Sequence, residues 1–258
     1  MNKMIMIQYD DVDNGNEWDG PIAAKDCKPL TSGQNGCVGG EPIINKYGFV
    51  NSFKFFTDLD IEELLSSYKY ILKTDADVFL TPRFKNTFPE DNKVMVGNGA
   101  YSTNIKTQKR LLEVSKKLKY KHYSIFNVGA TWYGSSKDII KLGKLSYKIT
   151  KHIYKNEFLH YHPGWDEWFI GVSSMYGSEI ASNHLFGKDR LEKTTLLDNY
   201  ASSSEDISTV LHVHCWQDNN FFSKLQYIQG IYKDKKPLSN STKINEYVFN
   251  IAKQAETL

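Results

Sequence analysis

The sequence predicts an α/β fold in which helices pack around a central, mostly parallel sheet. Short apolar runs bounded by turn residues, Tyr70-Ile71-Leu72-Lys73 and Val94-Met95-Val96, have the length and content of buried strands. Stretches with apolar residues three and four apart, as at Ile61, Leu64, Leu65 and Tyr68, have helical spacing. The two kinds of segment alternate along the chain, which favours crossover connections between parallel strands.

In order, Ile5 to Tyr9 reads as a first strand, and residues 10–42, rich in Gly, Asp, Asn and Pro, as irregular loop, long for a compact domain. Ile44, Tyr47, Val50, Phe53 and Phe56 recur at helical spacing. A second helix is expected to start at Asp60, with Glu63 completing a capping box. The strand at Tyr70 ends in Thr74-Asp75-Ala76-Asp77 and runs on into Val78-Phe79-Leu80. Helices are expected over 105–119, from a cap at Gly134 to Ser136 as far as Tyr154, from Asp166 to His184, and over 243–254. Strands are expected at Val94, over Ser124 to Tyr133, and at Leu211-His212-Val213-His214-Cys215-Trp216. Together these form one domain over residues 1–258, with 1–43 atypical.

Lysine plus arginine exceed the acids by only two. That near-balance argues against a partner held mainly by its phosphates, so no nucleic acid is expected. The basic run from Lys116 to Lys121 reads as a solvated helix face. Three cysteines, Cys27, Cys37 and Cys215, give no disulfide framework, although Cys27 and Cys37 could pair under oxidising conditions. Neither a signal peptide nor a membrane span is seen, which predicts a soluble, cytoplasmic chain.

Asp75-Ala76-Asp77 is the sharpest chemical feature. Two carboxylates one residue apart at the end of a strand repel each other unless a cation lies between them. Mn²⁺ or Mg²⁺ suits such oxygens and leaves positions for diphosphate. The carboxyl ends of strands are where open α/β sheets bind ligands. His212 and His214 alternate on one strand and so share a face, from which an imidazole could complete an ion site. Lys224, soon after, could meet a phosphate as a point charge. Asn127-Val128-Gly129 opens a β-prone run where glycine permits close approach of a ligand or another backbone. His162-Pro163-Gly164-Trp165-Asp166-Glu167-Trp168 sets two acids among aromatic rings, a composition that suits a sugar pocket; Asp166 could equally be a helix cap.

Taken in order, these segments resemble the GT-A glycosyltransferases, nearest in layout to glycogenin-like enzymes. Asp75 and Asp77 match that superfamily's DxD motif, Asn127 to Gly134 its glycine loop, and Asp166-Glu167 its acidic pair in inverted order. His214, with His212 second, matches its C-terminal histidine, and Lys224 the lysine that trails it. The resemblance implies an αβα sandwich binding a nucleotide-diphosphate sugar donor. Mn²⁺ or Mg²⁺ would sit on Asp75, Asp77 and His214, with Lys224, Asn127 and Gly129 toward the donor. Asp166 or Glu167 would face a hydroxyl acceptor on a glycan, glycoprotein or small molecule. Two rival readings are a catalytically silent scaffold and another metal-dependent phosphate-handling enzyme. A phosphatase of the haloacid dehalogenase type would carry Thr or Val where Phe79 stands, and its motif on the first strand.

Overall fold

A computed structural model describes residues 4–9, 28–29, 37–38, 50–161, 163–215, 222–239 and 241–256. Ile44, Tyr47, Cys27, His162 and Trp216, which figure in the expectations above, lie outside these residues. The chain builds a five-stranded sheet from β1 (Met4–Tyr9), β4 (Tyr70–Asp75), β7 (Val128–Ser135), β6 (Val94–Asn98) and β8 (Leu191–Lys193), in that spatial order. Strands β1 and β4 are parallel, as are β6 and β8, while β7 runs antiparallel to both of its neighbours. Four strands therefore share a direction, and the sheet is mixed because β7 is inserted in reverse. The two-residue strands β2 (Lys28–Pro29) and β3 (Cys37–Val38) pair with each other.

Strict alternation assigns the two faces of the large sheet. Ile71, Val94, Val96, Val128 and Trp132 point into one cluster. There they meet the helical layer of α1 (Asn51–Lys54), α3 (Ile105–Lys117), α4 (Ser136–Asn156) and α5 (Ser173–Arg190). Trp132 is its centre, fully buried and stacked on Phe53 at 5.2 Å between ring centroids. The alternate residues Tyr70, Leu72, Met95 and Tyr133 point the other way, toward Phe84, Leu197 and Leu211. Among the described residues, that second face is covered by a smaller sheet and by the 3-10 turn Pro82–Asn86 that carries Phe84. β10 (His212–His214) lies in the middle of the small sheet, antiparallel to β5 (Val78–Leu80) and parallel to β9 (Asn199–Tyr200). α7 (Ile244–Ala255) and Phe222, just ahead of α6 (Lys224–Ile228), pack on the outer side of Val213.

Several element ends differ from expectation for local reasons. α2 (Leu59–Ser66) starts earlier than the Asp60–Glu63 capping box implies. Asp58 is its N-cap, and its carboxylate accepts from the backbone of Asp60 and Ile61. Leu64 consequently faces outward at 50% exposure while Leu65 is buried. Ser135 caps α4 as anticipated, exchanging hydrogen bonds with Asp138. Strand β7 begins only at Val128, because Ser124 and Asn127 adopt φ of 60° and 57°. Helix α5 starts at Ser173 rather than Asp166, so Asp166 caps nothing. Among the described residues no helix is long and apolar enough to cross a membrane.

The basic run that ends α3 is more than a solvated face. Lys117 and Arg110 both reach the buried carboxylate of Glu157, at 2.6 and 2.9 Å, and His152 Nε2 lies 3.0 Å from it. Burial opposes the charged form of Glu157, but Lys117 and His152 outweigh it and hold its pKa below the usual range. Trp168 Nε1 donates to the Glu157 carbonyl, so the same residue anchors the aromatic stack of Trp168 and Tyr176. Glu157→Ala is expected to cost about 2 kcal/mol, below the usual range for a broken buried pair because the basic partners are partly solvated. That loss should lower Tm by about 4–8 °C in calorimetry. With its folded pKa lowered, Glu157 contributes stability above the unfolded value of about 4.3 and loses it as pH falls through the folded value. The variant's advantage-free melting curve should thus converge on wild type in acid; an equal Tm at neutral pH would contradict this account.

Candidate metal centre at the junction of two sheets

The Asp75-Ala76-Asp77 turn is where the chain leaves one sheet for the other. Asp75 is the last residue of β4, and Val78 opens β5. Antiparallel pairing sets His214 opposite Val78, and the ladder continues as Cys215 N donates to the Asp77 carbonyl at 2.9 Å. Backbone register therefore delivers a histidine from far downstream beside the acids. His214 Nε2 stands 3.1 Å from Asp77 Oδ1 and 3.7 Å from Asp75 Oδ2. One ligand atom from each of the three residues lies within 4.8 Å of the others. Ligands at right angles, each ~2.1 Å from an ion, stand ~3 Å apart. Two carboxylate oxygens and an imidazole nitrogen this close, one pair already at 3.1 Å and Asp75 still 37% exposed, form a set that can close on a divalent cation reached from solvent.

Lys224, the first residue of α6, forms an ion pair with Asp77 Oδ2. Burial opposes ionisation of Asp77, yet His214 and Lys224 hold its carboxyl well below the usual range. Burial likewise opposes the charged form of His214. The hydrogen bonds and charges of Asp198 and Asp77 outweigh it and raise that pKa to about 10, so the ion-free ring is protonated and a cation would take the place of its Nε2 proton.

Two further residues, Asp198 and Lys73, complete the arrangement. Asp198, wholly enclosed, places Oδ1 3.2 Å from His214 Nδ1 and takes the Thr131 hydroxyl at 2.6 Å. It also accepts from the Thr131 backbone at 3.1 Å. His214 is thus held from behind by a carboxylate, with its other nitrogen toward Asp75 and Asp77. Lys73 is 3% exposed, lies over the rings of Phe53 and Trp132, and places Nζ 3.3 Å from Asp75 Oδ1. Period-two spacing puts Lys73 on the face of Asp75, a signal present in the sequence. Nothing in Leu197-Asp198-Asn199 announces Asp198.

His212, second choice for the ion, faces the same way as His214 but stops short of the acids. Its Nδ1 accepts from the Asp198 backbone at 3.1 Å, which leaves the proton on Nε2, 2.7 Å from Thr74 Oγ1. Burial pushes its pKa down to about 4. It is a neutral strut between the sheets.

Gly129 backs onto Asp198, and Asn127 stands just ahead of β7. A Cβ on Gly129 would fall 2.3 Å from Asp198 Oδ2 and 2.5 Å from the backbone carbon of Gly97. Gly97 would meet the same carboxylate at 2.0 Å. The close approach that glycine permits here is made by protein, the two glycines forming the slot for Asp198. Asn127 donates its backbone N–H to Glu179 at 2.6 Å, and its Oδ1 accepts from Ser102 N. Glu167 lies on an exposed stretch between Lys106 Nζ at 2.6 Å and the Tyr161 hydroxyl at 2.9 Å. Those two partners lower its pKa. Asp166 is exposed, and its carboxylate makes no hydrogen bond among the described residues.

A family model described as Domain of unknown function (DUF7164) matches residues 36–258. This chain belongs to that family. Every residue of the DUF7164 site discussed above falls within the match. No curated protein matches the chain. Among solved structures it is similar to one titled "crystal structure of a glycosyltransferase involved in the glycosylation of the major capsid of PBCV-1". The two are 13% identical with a TM-score of 0.34, over 72% of this chain and 75% of that one. A superposition that loose leaves the DUF7164 site to be understood from its own residues.

The Asp198 slot makes a selective prediction about two glycines of β7. Gly129→Ala should destabilise the chain by about 1–3 kcal/mol, since backbone as well as carboxylate must shift. Gly134→Ala, whose Cβ would meet only the Val94 methyl at 3.1 Å and its neighbours, should cost less. Urea melts of the two variants check the order, and the reverse order would contradict the slot.

Proposed function

We propose that this chain is a glycosyltransferase of the GT-A type that moves a sugar from a nucleoside-diphosphate sugar to a hydroxyl acceptor. The observation that carries the reading is the convergence of Asp75, Asp77 and His214, from two sheets, beside the ammonium of Lys224. Two acids and an imidazole next to a lysine make a site for a divalent cation with a polyanionic ligand, and diphosphate is such a ligand. The order of motifs along the chain supports a sugar nucleotide over other diphosphates.

Asp75, Asp77 and His214 would hold Mn²⁺ or Mg²⁺, which when bound neutralises charge on a departing diphosphate. The chain's own groups divide the remaining work. Asp198 fixes the ring of His214 from behind and leaves Nε2 to face the acids. Lys73 keeps one oxygen of Asp75 engaged and leaves the other toward His214. Lys224, paired with Asp77, exchanges that partner for a phosphate oxygen when donor binds. Asn127 and Gly129 act at one remove, through the loop and through Asp198. Of the two acids in the inverted pair, the engagement of both Glu167 oxygens by Lys106 and Tyr161 favours Asp166 for the acceptor hydroxyl. A carboxylate held by two donors is the poorer base.

A thermal-shift panel of nucleotide-sugars, with and without Mn²⁺, tests the reading. A matching donor raises Tm only in the presence of the ion. Asp75→Ala should remove that ion-dependent shift and lower turnover about 10²-fold or more while the ligand-free Tm stays near wild type. Asp198→Ala should weaken Mn²⁺ binding, measured by calorimetry, roughly 10–100-fold. Mn²⁺ affinity untouched by Asp75→Ala, or no nucleotide-sugar shifting Tm under any condition, would overturn the proposal.

A further inference from the structure

The surface around α6 carries a different message from the rim it adjoins. The helix stops at Gly230, which has φ of 78°. There Gly230 N donates to the Tyr227 carbonyl and Ile231 N to that of Gln226, both at 3.0 Å. This paired closure folds the chain back so that the residue after the glycine comes beside the start of the helix. Ile231 is thereby brought toward Leu225, with Ile228 one turn from Leu225 on the same side. All three are exposed: Leu225 at 44%, Ile228 at 78% and Ile231 at 57%.

This is not a loosely held segment. Tyr232 is buried and stacks on Phe222, and the Tyr227 hydroxyl donates to the Ala252 carbonyl at 3.0 Å. The tyrosines grip the body of the protein, and the aliphatic side chains are what remains outside. Directly beyond them Lys233, Lys235 and Lys236 are exposed, and none forms an ion pair among the described residues. Asp234 is the lone acid among them.

We infer that this patch is a peripheral membrane contact that seats the chain on an anionic lipid bilayer. Its composition separates a bilayer from a protein partner. Three aliphatic side chains are too few for a stable protein interface, which covers about 800 Å² on each partner. Such interfaces also disfavour lysine. A bilayer boundary accepts a few aliphatic groups at headgroup depth, and basic residues around them attract anionic lipid. Each lysine near such a surface strengthens binding roughly fivefold. Three exposed lysines with no acidic partner among the described residues, Lys235 lying over the Tyr232 ring, therefore amount to roughly 10²-fold, enough to make the contact selective for negative charge. The inference is independent of sugar transfer. Because Lys224 begins α6, it also places the Asp75, Asp77 and His214 cluster close to the lipid surface.

The full chain is incubated with vesicles of phosphatidylcholine alone, or of phosphatidylcholine with phosphatidylserine, and floated on a density gradient. Wild type is expected to float with the anionic vesicles, weakly with the neutral ones, and less as salt is raised. Ile228→Ser with Ile231→Ser should lower the bound fraction at least about tenfold, and Lys233→Glu with Lys236→Glu should abolish the preference for phosphatidylserine. Circular dichroism and Tm matching wild type establish that both variants are folded. Three results overturn the inference: wild type failing to float with either vesicle, the serine variant floating as wild type does, or wild type dimerising in solution through Ile228.

Discussion

A single enclosed carboxylate sets the geometry of the rim. Asp198 is surrounded by Thr131, His212 and His214, and lies in a slot that exists because positions 97 and 129 have no side chain. Burying a charge is costly unless hydrogen bonds and countercharges compensate it. Burial raises the pKa of Asp198, and the hydrogen bond and charge of His214, together with the hydroxyl of Thr131, more than reverse that rise. With Asp198 fixed, the imidazole of His214 has one orientation, and its outward nitrogen meets Asp75 and Asp77.

The second requirement is register. Asp77 and His214 belong to segments far apart in sequence, and a slip of one residue in the β5–β10 ladder would turn His214 to the opposite face. Val213 resists that slip because it fills the cluster beneath α7 while the two histidines point toward the large sheet. Packing on one side of the small sheet thus fixes chemistry on the other.

Much of this was legible from residues alone. The buried strand ending in Asp75, the alternation of His212 and His214, and the serine-capped α4 all follow from short-range patterns that the fold respects. What sequence could not supply came from contacts between distant segments. Asp198 gives no local signal, since its role arises only where β9 meets β10. The capping box at Asp60 failed because Asp58, two residues earlier, offers the same carboxylate to the first free N–H groups. The helix expected at Asp166 begins at Ser173 instead. The antiparallel insertion of β7 was hidden because an apolar strand reads the same in either direction.

The acids occupy the hinge-like passage between two sheets, and this has a consequence for cohesion. Asp75 belongs to the large sheet, whereas His214 belongs to the small one and Asp77 leads into it, so any cation held by all three would bridge the two layers. Ion occupancy and the docking of those layers become reciprocal: whatever tightens one tightens the other, and shear between the sheets would loosen the ligand set before unfolding either.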